Sequence, residues 1–263
     1  ARAAVEVLED AGYQVRIPTR PLCCGRPLYD YGMLDTAERV LRDTIDGLRD
    51  AIRSGIPVVG LEPSCVSVFR DELGNLLYGN EDAARLASQT FLLSEFLHDR
   101  VRQYTPPALR RRALVHGHCH HKSELHFDTE VSLLSSAGVK CDVPNSGCCG
   151  MAGSFGYESD HYDTGLACGE RVLLPSVRNA TSDTLIVADG FSCREMIHQE
   201  TSRRAMHLSQ VLQMALHEGP DGARDSLPEA RYAVVERTPA LPASVVLGGA
   251  AALIGLWFAT RNA

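Results

Sequence analysis

Two Cys-Cys-Gly tripeptides, Cys23-Cys24-Gly25 and Cys148-Cys149-Gly150, constrain this chain more than any other feature, because each recurs together with its surroundings. From position 23 to 148 the shift is 125 residues, and from Cys65 to Cys193 it is 128. The contexts of that second pair also agree: Val58-Val59-Gly60-Leu61-Glu62-Pro63-Ser64-Cys65 against Ile186-Val187-Ala188-Asp189-Gly190-Phe191-Ser192-Cys193. Each is an apolar run that leads into Ser-Cys and then into an amphipathic stretch. Unrelated loops rarely match in tripeptide, separation and Ser-Cys context together, so the chain reads as a duplication of one structural unit.

Periodicity indicates how each unit folds. Residues 1–12 read as the body of a helix that ends on a glycine cap, and the chain opens without methionine, which points to the C-terminal part of a longer protein. Tyr13 to Pro18 reads as a short strand, and Met33 to Ser54 as a helix with apolar residues at Leu41, Ile45, Leu48 and Ile52. Ile56 to Leu61 is a continuous apolar run, the pattern of a strand buried on both faces. Helices over Val66–Leu77 and Glu81–Arg100 follow. In the second half, strands are expected at Ala113–Val115, Lys140–Val143 and Thr184–Ala188. Helices are expected at Asp128–Ala137, through much of His161–Asn179, and at Arg194–Arg203 and Leu208–Leu216. Strands alternating with helices imply an α/β fold of two repeated units with parallel sheets and cysteine motifs at the carboxyl ends of strands. The expected division is a first repeat over 1–105 (truncated at its N-terminus), a second over 106–217, a linker over 218–242 and an apolar segment over 243–259.

Nine cysteines are too few for a disulfide scaffold in 263 residues, and no signal-peptide pattern precedes them. Thiols clustered in this way are more often metal ligands or redox groups. A net charge of −7 argues against nucleic acid as the main partner, which needs a basic face. In parallel α/β sheets functional groups gather beyond the carboxyl ends of the strands. Cys119, Cys148, Cys149 and Cys193 are therefore expected to converge, and four thiolates suit an iron–sulfur cluster or a structural zinc. The first half supplies Cys23, Cys24 and Cys65. Its fourth partner, by the 29-residue spacing from Cys119 to Cys148, falls before residue 1, so this site is either truncated or degenerate. The competing reading is that both pairs are packed thiols; a dithiol enzyme would need a Cys-x-x-Cys, which the sequence lacks. Cys141 and Cys168 read as packing thiols. Of the four histidines around Cys119, His116 and His121 read as helix-capping or hydrogen-bonding groups, while His118 and His120 are placed beside the cluster. Met151 to Tyr157 is glycine-rich but has no phosphate-loop lysine.

The stretches Pro21-Leu22-Cys23-Cys24-Gly25-Arg26-Pro27, Gly60 to Cys65, Val115-His116-Gly117-His118-Cys119-His120 and Asp189 to Cys193 resemble the cysteine-rich CCG domain. That domain occurs in heterodisulfide reductase and in the iron–sulfur parts of glycolate oxidase and anaerobic glycerol-3-phosphate dehydrogenase. The likeness is greatest to the C-terminal part of fused flavin and iron–sulfur D-2-hydroxy-acid dehydrogenases of the D-lactate type. It implies an oxidoreductase fragment with a 4Fe-4S cluster, zinc being the alternative at one site. FAD would sit on a missing upstream domain or separate subunit, and electrons would pass to a quinone or carrier protein. All seven motif cysteines would bind cofactor, Cys119, Cys148, Cys149 and Cys193 ahead of Cys23, Cys24 and Cys65. The family motif ends in Cys-x-x-Cys, giving five thiolates for a non-cubane cluster, whereas Glu62 and Gly190 stand at the first of those positions here. The rival reading is a zinc-stapled structural or docking module without redox activity. The 17-residue apolar stretch 243–259 is at the short limit for a membrane span, so the expected location is cytoplasmic, peripheral to or anchored in the cytoplasmic membrane.

Overall fold

A computed structural model of the chain describes residues 1–101, 103–223 and 227–232; the apolar segment 243–259 and residues 233–242 of the linker lie outside them. The first half runs α1 (Arg2–Asp10), α2 (Arg26–Asp30), α3 (Leu34–Arg53), β1 (Val58–Gly60) and α4 (Pro63–Ser67). A wide π-type turn over Val68–Glu72 leads into α5 (Leu73–Leu76), then α6 (Glu81–Gln89), β2 (Thr90–Leu92), α7 (Leu93–Glu95) and a second π stretch, Phe96–Arg100. The second half runs β3 (Arg112–Val115), α8 (Cys119–Ser123), α9 (Phe127–Ser136), β4 (Lys140–Asp142), a 3-10 turn at Phe155–Tyr157, α10 (Tyr162–Glu170) and α11 (Leu173–Asn179). It closes with β5 (Leu185–Val187), α12 (Phe191–Glu200), α13 (Leu208–Glu218) and α14 (Glu229–Tyr232).

The strands form two parallel sheets, β1-β2 and β4-β3-β5, as the α/β reading requires. Ala113 pairs with both Cys141 and Leu185, and Val58 pairs with Thr90. Within the three-stranded sheet β5 and residues 113–115 of β3 are buried on both faces and alternate between two cores, whereas β4 is a largely exposed edge. Ala113, Val115, Leu185 and Val187 enter one core with α1 and α13, through Val7, Leu8, Val211 and Leu212. Leu114 and Ile186 enter the other with Leu174, Val177, Met196 and Ile197, and that core holds Cys149 and Cys193. A third core, built on Leu41, Ile45 and Ile52 of α3 with Leu73 and Leu86, holds Cys24. The first of these cores also takes in Leu93, Phe96 and Leu97, so it runs continuously across residue 105.

Several expected elements differ. Tyr13–Pro18 is not a strand: among the described residues no strand pairs with it, and although Tyr13 and Val15 touch the first core, Ile17 is half exposed. The strand at 56–61 shortens to β1, which is only half buried, whereas its partner β2 is largely buried. The expected helix over 81–100 breaks at Gln89, where Thr90-Phe91-Leu92 pairs with β1; the Glu95 carboxylate accepts the Leu92 N–H at 2.9 Å and starts the next helix. The helix expected to start at Arg194 begins at Phe191, and the one expected at Val66 begins at Pro63, which brings Cys193 and Cys65 into helical first turns.

Candidate metal centre

In both Cys-Cys-Gly turns the glycine has a positive φ, +77° at Gly25 and +100° at Gly150. The left-handed conformation turns each glycine N–H back on the first cysteine, with Gly25 N donating to Cys23 Sγ at 3.4 Å and Gly150 N to Cys148 Sγ at 3.3 Å. Such amide donors stabilise thiolate over thiol. The other cysteine of each set arrives on a helix. Cys65 is the third residue of α4 and Cys193 the third residue of α12, each a few residues beyond a parallel strand.

At the first site Cys24 Sγ lies 2.9 Å from Cys65 Sγ, and Cys23 stands beside Cys24. Hydrogen bonding to Cys24, then burial, pushes the Cys23 thiol well up. Cys24 receives a bond from Cys23 that lowers its pKa, but the Cys65 thiol and burial outweigh it and push it up to about 12.

At the second site the four sulfurs interact in sequence: Cys119 with Cys148, Cys148 with Cys149, and Cys149 with Cys193. The fold therefore brings all four thiols together. The bond from Cys119, then that from Cys149, draws the Cys148 pKa far down, and the bond from Cys149 does the same for Cys193, with His116 assisting. Cys119 and Cys149 move far up for the complementary reason. Two of the thiols are thus pushed toward thiolate and two away from it, and a bound cation is what would let all four ionise. Among the described residues no three cysteine sulfurs lie all within 4.8 Å of one another.

The histidines sort differently from expectation. His118 caps α8, its Nδ1 accepting the His120 N–H at 3.2 Å and lying 3.8 Å from Cys119 Sγ. His120 stacks on His118 with ring centroids 5.2 Å apart. The ligand atoms of His118, Cys119 and His120 all lie within 4.8 Å of one another, so both rings stand beside the Cys119 thiol. His116, read as a bystander, also faces the site: its Nδ1 meets Ser146 Oγ at 2.8 Å, its buried Nε2 has no partner among the described residues, and its nearness lowers the pKa of Cys193. His121 is fully buried against Glu130, Nδ1 to Oε2 at 3.3 Å. Burial lowers His121 to about 4 and raises Glu130 well above the carboxylate range, so this is a neutral pair. Cys141 packs against the core as expected, but Cys168 is exposed.

Two residues quoted in the motifs take on contacts that the motif reading did not assign. The Arg26 guanidinium, directly after the first Cys-Cys-Gly, is buried and meets Glu72 at 2.6 Å and Ser67 Oγ at 2.7 Å; its place in the motif was the available signal. Glu62 Oε2 accepts the N–H of Phe191 at 2.6 Å, a contact between halves that no local pattern announces. The two Cys-Cys-Gly segments also approach each other, with the Tyr31 hydroxyl bonding Ser154 and Glu158.

Residues 1–70 match the family model of the cysteine-rich CCG domain. Over 217 residues, 81% of this chain, it is 29% identical to a component of the anaerobic glycerol-3-phosphate dehydrogenase of Escherichia coli K12, covering 54% of that protein. It is 28% identical over 212 residues (79% of the chain) to D-2-hydroxyglutarate dehydrogenase of Pantoea ananatis, covering 20% of it. It is 29% identical over 226 residues (80% of the chain) to lactate utilization protein A of Geobacillus thermodenitrificans, covering 90% of it. The chain spans about half the length of the glycerol-3-phosphate dehydrogenase component and a fifth of the hydroxyglutarate enzyme. The resemblance to the CCG domain read from the motifs is borne out.

Proposed function

We propose that this chain is the iron–sulfur electron-transfer region of a flavin-dependent dehydrogenase acting on a 2-hydroxy acid of the lactate or glycolate type. It would relay electrons from FAD, held on an upstream domain or a separate subunit, to a quinone or another carrier. The observation that carries this reading is the convergence of Cys119, Cys148, Cys149 and Cys193 on one place, in a chain whose first 70 residues match the cysteine-rich CCG domain. The names of the three relatives refer to glycerol-3-phosphate, D-2-hydroxyglutarate and lactate, all secondary alcohols whose oxidation to a carbonyl releases two electrons.

An iron–sulfur cluster bound here would supply one-electron redox chemistry. The chain's own groups prepare the place for it. The Gly150 N–H and the α12 N-terminus stabilise thiolate at Cys148 and Cys193. Apolar Leu174, Met196 and Ile197 keep water from the inner side. His116, His118 and His120 line the other side. Cys23, Cys24 and Cys65 form a second, three-thiol place for metal. Among the described residues no helix is long and apolar enough to cross a membrane, so attachment to a membrane would rest on 243–259.

The test is metal analysis of the full chain made anaerobically with iron. The expected product absorbs in the visible, bleaches with dithionite, and carries iron with acid-labile sulfide. A colourless chain with stoichiometric zinc and no labile sulfide would put the zinc-stapled module in its place.

A further inference from the structure

We infer that Glu62 is a positioning residue that clamps the cysteine site of the second half to that of the first. The inference rests on the two thiol clusters being metal sites, as proposed above.

Glu62 and Gly190 occupy equivalent positions, each the N-cap of the helix that carries its cysteine, α4 with Cys65 and α12 with Cys193. The carboxylate of Glu62 serves both helices. Its Oε1 accepts from the Ser64 N–H at 3.4 Å and the Ser64 hydroxyl at 2.9 Å, closing the first turn of α4. Its Oε2 accepts from the Phe191 N–H at 2.6 Å, the first amide of α12. Amides at a helix N-terminus have no intrahelical partner, and a carboxylate there forms a charge-assisted bond along the helix dipole. With both oxygens engaged, Glu62 is occupied as a joint between helices.

A second contact lies alongside. The carbonyl of Leu61 meets His207 Nε2 at 2.8 Å, the same nitrogen lies 3.5 Å from Asp189 Oδ1, and Asp189 Oδ1 accepts the Leu208 N–H at 2.7 Å. Residue 62 therefore holds Phe191 directly, and residue 61 is tied to His207, whose neighbour Leu208 holds Asp189 on the other side of Gly190. The inner side of Gly190 is closed by His118: a β-carbon at 190 would stand 2.3 Å from His118 Cδ2 and 3.2 Å from Cys193 Sγ. The segment 189–191 is thus fixed between the first half and the neighbour of Cys119. Cys193, buried to 1% exposure, follows two residues later.

Loss of the carboxylate should loosen the first turn of α12 without touching any sulfur. In the full chain without metal, Glu62→Ala should speed amide exchange over 190–195 and alkylation of Cys193 by iodoacetamide by about tenfold, the factor one lost charge-assisted hydrogen bond supplies. Glu62→Gln keeps one carbonyl oxygen for Phe191 and should restore most of the protection. Ser64→Ala removes only the bond within α4 and should leave Cys193 as protected as in the parent chain. In iron-loaded chain, Glu62→Ala should alter the visible spectrum and lower the iron retained. Unchanged exchange and alkylation at 190–195 in Glu62→Ala would overturn the inference. So would an equal loss of protection through β3 and β5, which would make Glu62 a residue of general folding. If the parent chain binds no cluster, the proposed function fails, whereas the metal-free readouts still decide the clamp.

Discussion

The two Cys-Cys-Gly turns should respond unequally to the same substitution of glycine by alanine. Both glycines sit at positive φ, where an L-residue costs about 1–2 kcal/mol. The space around them differs. A β-carbon at Gly25 would lie 3.6 Å from the backbone oxygen of Ala37, an ordinary contact. At Gly150 it would lie 1.9 Å from the Gly165 carbonyl oxygen and 2.7 Å from its carbon, so α10 must shift by more than an ångström. Forced repacking of that kind adds about 1–3 kcal/mol. Gly25→Ala should then cost about 1–2 kcal/mol and Gly150→Ala about 2–5 kcal/mol. At about 2–4 °C per kcal/mol in a chain of this size, this is a melting-temperature loss near ~4 °C against ~10 °C. Urea midpoints at a common slope give the same comparison independently. Gly147→Ala serves as the control, because no atom lies within 4 Å of its added β-carbon; it should change stability by under about 0.5 kcal/mol. Equal losses at 25 and 150, or a milder effect at 150, would refute the packing argument.

Cys148→Ser should abolish cluster binding in the second site, whereas Cys23→Ser should remove less iron, because the first site offers only three thiolates; equal iron loss in the full-length protein would mean that other residues complete the first site. Glu130→Gln should change the pH dependence of stability. Because the folded pKa of Glu130 is raised, the native state holds a proton that the unfolded chain releases, and stability falls as pH rises above the unfolded value; the lowered His121 acts oppositely, its contribution being lost as pH falls from 6.5 towards about 4. Above pH 6.5 the pair contributes only through Glu130, at most about 1.4 kcal/mol per pH unit, and Glu130→Gln should remove that share of the slope in urea titrations of metal-free chain; a slope equal to the parent's would show that the carboxyl is ionised in the fold. Arg203 meets buried Glu229 at 2.5 Å and the Thr184 carbonyl at 2.6 Å, so Arg203→Ala should cost about 3–5 kcal/mol by urea denaturation, and a loss under about 1 kcal/mol would mean that the pair is hydrated.

The sheet was legible where burial acts on both faces. The apolar runs at 113–115 and 184–188 became β3 and β5 because each residue enters one of two cores, which selects apolar residues without alternation. Helix α3 was legible because Leu41, Ile45 and Ile52 repeat at helical spacing over twenty residues. Three-residue strands carry little more than one period of their own. Thr90-Phe91-Leu92 lies between two helical patterns, and only its pairing with Val58-Val59-Gly60 makes it a strand. The stretch 13–18 has the opposite history: its alternation resembles a strand, but no partner reaches it among the described residues.

The cysteines were legible because thiols repeat as a residue type, and repetition points to equal sites. What makes the sites unequal is carried by residues whose types differ between the halves. Arg26 follows the first Cys-Cys-Gly and buries its charge against Glu72, whereas Met151 follows the second and is buried among apolar side chains. Glu62 and Gly190, read in sequence as two absent thiolates, turn out to face one another across the halves. A cysteine at 190 would drive its β-carbon into His118, and a cysteine at 62 could not reach the Phe191 amide with a carboxylate oxygen. The smaller set of thiols is therefore tied to the way the halves are joined. Restoring Cys-x-x-Cys in either half would displace the contact that sets the position of Cys193.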